Sequence, residues 1–198
     1  MSAPALAAGW AAAWQPMVQA VGREFGDGRP EVWGETIQAV AVLRYLEPLE
    51  LDCALHSDAD AARAHGHAGI TVPYTALASF AMPLMWRPGD PPLFVDATRD
   101  AQPVRSYVGG VSFGLEPPTS NFFAVDSDAD FLKPALVGDR LCRRGALLLS
   151  CTPKETRLGR GAFIRYQTEV INQQRELLAR LRTTFYRYNP AQAGGATP

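Results

Sequence analysis

The sequence predicts an α+β fold in which a helix is packed across an antiparallel sheet. Three observations predict it. Apolar residues in the first half recur at helical intervals, the last third falls into three strand-length runs, and the two patterns are segregated along the chain rather than alternating. At 198 residues and 47% hydrophobic content, the chain can build one substantial core and is too short for two comfortable ones.

Between Pro4 and Phe25, residues Leu6, Trp10, Trp14, Met17, Val18 and Val21 fall at mostly helical intervals broken by Pro16. This predicts a flanking helix, or two short ones, whose task is packing. Asp27 to Pro30 read as a turn. Thr36 is placed to cap a helix carrying Val40, Leu43, Tyr45 and Leu46 that ends before Pro48. A short helix follows from Ser57 to His65: Ser57 can cap it, Asp58 and Asp60 suit its positive end, and Gly66 stops it. Pro73 suits a first helical position, and Leu77, Phe80, Ala81 and Leu84 then recur at helical spacing, as expected of a helix buried against a sheet.

From Met82 to Pro118 the chain is rich in Pro and Gly, with Trp86 to Pro92 as a loop centre and Tyr107 to Leu115 as a candidate strand. Irregular packing and a functional loop are both open readings there. Leu141 to Cys151, Ala162 to Ile171 and Leu177 to Tyr188 are the three strand runs. In the last, Leu177, Ala179, Leu181 and Phe185 share one face while Arg180 and Arg182 lie on the other, which predicts a meander with one wet face. The expected organisation is a helical extension over residues 1–20, the domain over 21–190 and a disordered tail from Ala191 to Pro198.

Charge and cysteine content narrow the function. The balance of 19 basic and 20 acidic side chains gives a net charge of −1, so nothing in the overall field calls for nucleic acid or an anionic membrane. Cys53, Cys142 and Cys151 have no metal-ligand spacing, and an odd number argues against a disulfide framework; they read as reduced thiols of a cytoplasmic protein. No apolar run is long enough for a bilayer, and the first residues lack the pattern of a secretory leader, so a soluble protein is expected. His65 and His67 flank Gly66 like a metal pair, yet nothing nearby completes a site, and an exposed turn is the better reading.

Chemistry concentrates between Asp52 and Thr75. Asp52 and His56 stand four residues apart, before a turn into Gly69-Ile-Thr-Val-Pro-Tyr-Thr75. On a helical turn that spacing would put both on one side, where carboxylate and imidazole could share a water. The plain alternative is that Asp52 ends the turn at Pro48 to Leu51 and His56 is solvent-exposed or bonded to backbone.

Three stretches resemble a known family. Asp52 to Ala62 is similar to the Gly-Asp-x-Asn-Pro-Leu-His-x-Asp run of the MaoC-like dehydratases, specifically their N-terminal, fatty-acid-synthase-type dehydratase domain. Gly66 to Thr75 resembles the entry to that family's central helix. Phe131 to Leu141 resembles its strand, proline, Gly-Asp turn and strand, with the hairpin from Asn172 to Ala179 after it. The resemblance runs from about Val21 to Tyr188 and implies a single hot-dog fold.

It also implies reversible water addition across the double bond of an enoyl thioester, with no cofactor and with coenzyme A or acyl carrier protein as the carrier. Asp52 and His56 would be the catalytic pair, and the amides of Tyr74 and Thr75 would bind the thioester carbonyl. Two departures stand out: Leu51 occupies the family's Asp position unless one residue is deleted, and Pro73 stands where the family has glycine. The implied partners are a second copy, forming a homodimer, or another MaoC-like subunit, forming a heterodimer in which this chain could be the silent half that shapes the acyl tunnel. Related proteins with an incomplete central helix take bulky acyl groups such as steroid side chains, so the stretch from Met82 to Tyr107 would belong to a wide pocket. Arg140, Arg143 and Arg144 could grip coenzyme A phosphates, though a solvated strand face is the better reading. A hot-dog thioesterase would need a carboxylate on the central helix, and Pro73 to Leu84 contains none.

Overall fold

In the computed structural model, which describes residues 9–26, 28–98, 101–104 and 111–191, the strand runs pair into one antiparallel sheet. Its strands are β1 (Asn121–Phe131), β2 (Leu141–Thr156), β3 (Gly159–Asn172) and β4 (Leu177–Pro190), in the order β1-β4-β3-β2. The β3–β4 hairpin is closed by Asn172, whose side-chain oxygen accepts from the amides of Gln174 and Glu176, with Arg175 in the left-handed region at φ 64°.

Periodicity predicts three of these strands, and β1 is the addition. Asp126, Asp128 and Asp130 alternate with Ser127, Ala129 and Phe131, a period-two pattern built from a residue that strands usually avoid. The register explains the tolerance, since the three aspartates oppose Thr184, Arg182 and Arg180 on β4. Arg165 of β3 binds Asp126 at 3.1 Å and also pairs with Asp128. Arg182 binds Asp128 at 2.8 Å and Asp130 at 2.5 Å. The outer face of the sheet is therefore a ladder of ion pairs. The Arg182 guanidinium, bonded to both, holds the Asp128 and Asp130 carboxyls below the ordinary carboxylate range.

The inner face is covered in two halves. One is covered by α3 (Ala39–Leu46), which buries Val42 and Leu46, and by the central helix, a 3-10 turn over Tyr74–Ala76 running into α5 (Leu77–Phe80). Ala76, Leu77 and Ala81 pack there on Leu141, Val170, Leu178 and Ala179. The other half is covered by α1 (Gly9–Ala12) and α2 (Gln15–Gln19), where Trp14 at 2% and Met17 at 0% exposure join Phe113, Leu148, Ile164 and Tyr166. The helical segment of residues 9–19 is thus part of the core.

Several local expectations are corrected. The first segment takes the second of its two expected forms, two short helices, but ends at Gln19 rather than near Phe25; its residues Pro4 to Ala8 lie outside the described residues. Gln38, not Thr36, is the residue before α3, and its side chain makes no cap. Asp58 rather than Ser57 caps α4 (Ala59–Ala64), accepting from the amides of Asp60 and Ala61; Gly66 follows at φ 85°, as a stop signal should. Pro73 is the extended residue ahead of the central helix, and that helix ends at Phe80 rather than Leu84. Its end meets Gly34 so closely that a Cβ there would lie 2.2 Å from the Phe80 carbonyl oxygen. Of the candidate strand Tyr107 to Leu115, residues 107–110 lie outside the described residues, and Val111 to Leu115 is irregular chain that delivers Phe113 to the core. Asp27, and the tail apart from Ala191, also lie outside the described residues.

Trp14→Ala is expected to destabilise the protein by about 3–5 kcal/mol, read as a lower urea midpoint at unchanged slope. The outer ladder has a defined pH signature. Carboxyls with depressed folded-state values contribute stability that is complete above the ordinary Asp value of 3.8 and is lost as pH falls below it. Melting temperature followed from about pH 7 to about pH 2 should therefore fall steeply only at the acid end. Asp128→Asn with Asp130→Asn should make that fall shallower.

Candidate functional site

Thr71 ties together the stretches that carry the predicted site. It bridges Leu136, the residue after the Pro134-Ala135 pair, while its amide and hydroxyl both donate to the Leu55 carbonyl, at 2.9 and 3.1 Å. Leu55 belongs to a 3-10 turn, Ala54–His56, that enters α4 through the Asp58 cap. The tie fixes His56, whose Nδ1 lies 2.8 Å from the Thr71 carbonyl oxygen and 3.0 Å from its Oγ1. A carbonyl can only accept, so Nδ1 carries the hydrogen, and in the neutral ring Nε2 is left with its lone pair. Thr71 is 4% exposed, so the anchor lies inside, and His56 is half-buried beside it.

The other predicted residues are placed as follows. Asp52 is exposed and has no hydrogen-bond or ion-pair partner among the described residues. It precedes the 3-10 turn, because Cys53 is extended at φ −132° and ψ 113°, so the helical-spacing argument that would pair it with His56 does not apply. Tyr74 and Thr75 open the central helix. The first bond there is from Ala76 N–H to the Pro73 carbonyl at 2.9 Å, which leaves the Tyr74 and Thr75 amides without partners among the described residues. The Tyr74 ring stacks on Phe131 of β1, with centroids 4.8 Å apart.

Two cavities flank the central helix. One, of about 260 Å³, is walled by Ala81, Met82, Val111 and Tyr166, with Glu31 and Arg144 among its polar residues. The other, of about 460 Å³, lies against Tyr74, Thr75, Ala129, Phe131 and Leu181. Ala78 and Arg143 line both.

The three arginines near the start of β2 do not share one face, although Arg140 and Arg143 are exposed and Arg144 is half-buried. Arg140 donates to the Gly34 carbonyl at 3.2 Å, and Arg144 points outward to Glu169 at 3.2 Å. Arg143 lies on the inner face, donating from Nε to Thr168 Oγ1 at 2.7 Å. Strand alternation could have found it, since Arg143 shares its face with buried Leu141, and Thr168 shares one with buried Ile164 and Tyr166. Thr71 carried no comparable sequence signal, because its role depends on a contact fifteen residues back along the chain.

All three cysteines are free, and burial pushes the Cys151 thiol up to about 11, which makes it a poor nucleophile. His65 donates from Nδ1 to the Ala61 carbonyl at 2.8 Å at the end of α4. Among the described residues, no cluster of three or more His, Cys, Asp or Glu could hold a metal ion, and no helix is long and apolar enough to cross a membrane.

Comparison with known proteins gives one family and several similar structures. The model of the FAS1-like, dehydratase domain region matches residues 19–181. No curated protein matches the sequence. Among solved structures, the ChsH1-ChsH2 complex from Mycobacterium tuberculosis is similar at 18% identity and a TM-score of 0.61, covering 96% of this chain and 97% of that one. The MaoC-like dehydratase from Rhodospirillum rubrum is similar at 19% and 0.54, covering 87% and 94%. The C-terminally truncated HadBC (3R-hydroxyacyl-ACP dehydratase) complex, also from M. tuberculosis, follows at 15% and 0.51, covering 83% and 96%. These likenesses establish the hot-dog fold.

The anchoring of His56 can be read directly. Nitrogen-15 spectra of the neutral imidazole should show a protonated Nδ1 and an unprotonated Nε2. Thr71→Val, which keeps the accepting carbonyl, should leave that tautomer in place; the reverse tautomer in either protein contradicts the geometry.

Proposed function

The chain belongs to the family of FAS1-like dehydratase domain regions, and from that membership we propose that it adds water to, or removes it from, an acyl thioester, with His56 as the proton-transfer group. The observation that carries the reading is the 2.8 Å bond from His56 Nδ1 to the Thr71 carbonyl, because it leaves Nε2 as the base. In hydration Nε2 takes a proton from water as the oxygen attacks the β-carbon. The partnerless Tyr74 and Thr75 amides stabilise the enolate-like oxygen, and the imidazolium delivers the proton it took from water to the α-carbon, which regenerates the neutral ring. In dehydration Nε2 takes the α-proton, and the imidazolium so formed gives it to the departing hydroxyl, which leaves as water. Asp52 is the proposed water-holding carboxylate. The carrier is coenzyme A or acyl carrier protein. The short central helix, with a cavity on each side, supports a bulky acyl group.

A second reading is supported by one observation, that Asp52 is exposed and not joined to His56. This chain would then be the half of a hot-dog pair that binds the acyl group while a MaoC-like partner supplies the catalytic carboxylate. Two of the similar structures are named as complexes, ChsH1-ChsH2 and HadBC, which supports looking for such a partner. The exposed edge strand β1, with Phe122, Phe123 and Val125 at the surface, offers a place for it or for a second copy. A thioesterase is disfavoured, since Tyr74 to Phe80 carries no carboxylate.

The purified chain should hydrate crotonyl- or longer enoyl-CoA, and His56→Ala should lower kcat by about 10²–10⁴-fold with the fold intact. Undiminished activity in the variant rejects His56. An inactive chain that gains activity only with a MaoC-like partner selects the second reading.

A further inference from the structure

Arg143 is an exposed guanidinium of the cavity lining that no carboxylate pairs among the described residues; Arg29, at the rim of the smaller cavity, is the other, and it is bound to the Ser112 carbonyl. Arg143 lies on the inner face of the sheet, where the neighbouring inward positions Leu141, Val170 and Ala179 are fully buried and apolar. Its Nε is bound to Thr168 Oγ1, and Thr168 is itself only 2% exposed, so the guanidinium is held by a side chain of the core. No carboxylate pairs with it among the described residues. The two acidic side chains that line the same cavities are already matched: Glu31 receives a two-pronged bond from Arg175 at 2.8 and 2.9 Å, and Asp128 is held by Arg165 and Arg182. What remains is a guanidinium with free Nη donors, accessible from the cavities on both sides of Ala78.

We propose that Arg143 binds a carboxylate carried on the acyl group of the substrate, so that this chain takes acyl thioesters with a second, anionic end. A plain hydrocarbon chain laid under the central helix would strip water from the guanidinium and return nothing. A carboxylate there accepts the free donors in the planar, two-pronged geometry that arginine offers. The phosphates of coenzyme A are the other anionic source; Arg143 is exposed, and its bond to buried Thr168 beside the central helix, between the two cavities, favours the acyl end.

The proposal rests on the thioester reading, and saturated ligands, which cannot be hydrated, separate it from catalysis by His56. Adipoyl-CoA, hexanoyl-CoA and free coenzyme A are titrated calorimetrically into the wild-type chain, Arg143→Gln and Arg143→Lys. Adipoyl-CoA should bind about tenfold or more tightly than hexanoyl-CoA, with the preference lost in Arg143→Gln and reduced in Arg143→Lys. Equal affinities, or a preference that survives Arg143→Gln, overturn the proposal. So does a uniform weakening of all three ligands, which would assign Arg143 to the carrier's phosphates. If no thioester binds at all, the thioester reading fails and the arginine site is judged with hexanoate and hexanamide. A rise in melting temperature with hexanoate alone, absent in Arg143→Gln, keeps the anion site, and no rise removes it. Each variant's own melting temperature shows that it is folded.

Discussion

The structure depends on one constraint: a four-stranded sheet with an apolar inner face must be covered, and the central helix is too short to do it. That helix stops at Phe80, where its last carbonyl presses on Gly34. The remaining half of the face, with Leu148, Ile164 and Tyr166, is closed by Trp14 and Met17 from the N-terminal helices and by Phe113 from an irregular segment. Two separate covers leave a seam, and the smaller cavity lies along it between Met82 and Val111. A longer helix would have filled that space with side chains, so the cavity and the burial of the N-terminal helices have the same cause.

The opposite face solves a different problem. β1 is an edge strand whose outward positions are aspartates, and alone it would be a weak strand former. Arg165 and Arg182 each bind two of these aspartates, so neighbouring strands are linked by shared charges rather than by isolated pairs. Single exposed pairs contribute little, whereas a network fixes register, because a slip of one residue would turn every aspartate inward. The same register sends Ser127, Ala129 and Phe131 to the inner face, where Phe131 meets Tyr74 at the head of the central helix.

Much of this was legible in the sequence. The segregation of helical and strand patterns predicts the fold class, and the three aliphatic strand runs all appear, each extended at one or both ends. Patterns supported by long-range contacts were not legible. β1 is hidden because its aspartates look unfavourable until Arg165 and Arg182 are brought beside them. Leu84 continues the helical spacing, yet Pro83 stands before it, and the helix ends at Phe80. Within the candidate site, spacing alone put Asp52 and His56 on one turn, whereas the extended Cys53 puts Asp52 outside it. Thr71, which orients His56, is an ordinary residue of the connecting chain until the fold brings Leu55 and His56 to it.

Pro73 illustrates how position within a local element changes a chemical argument. A proline at the first helical position would remove one of the amides that a carbonyl oxygen could use. Pro73, at φ −54° and ψ 133°, instead stands ahead of the helix, and its carbonyl receives the first helical bond from Ala76. The amides with no helical partner are those of Tyr74 and Thr75, which proline leaves intact while its fixed φ restrains the entry. The missing N–H therefore costs the helix start no donor. What separates the two functional readings is the carboxylate, because His56 is anchored through Thr71 while Asp52 has no tie of its own. An imidazole fixed by backbone needs only a bound water to act as a base, and the group that holds the water can come from Asp52 or from a second chain. On the proposed reading the anchored group serves proton transfer, and the untied one decides whether one chain is enough.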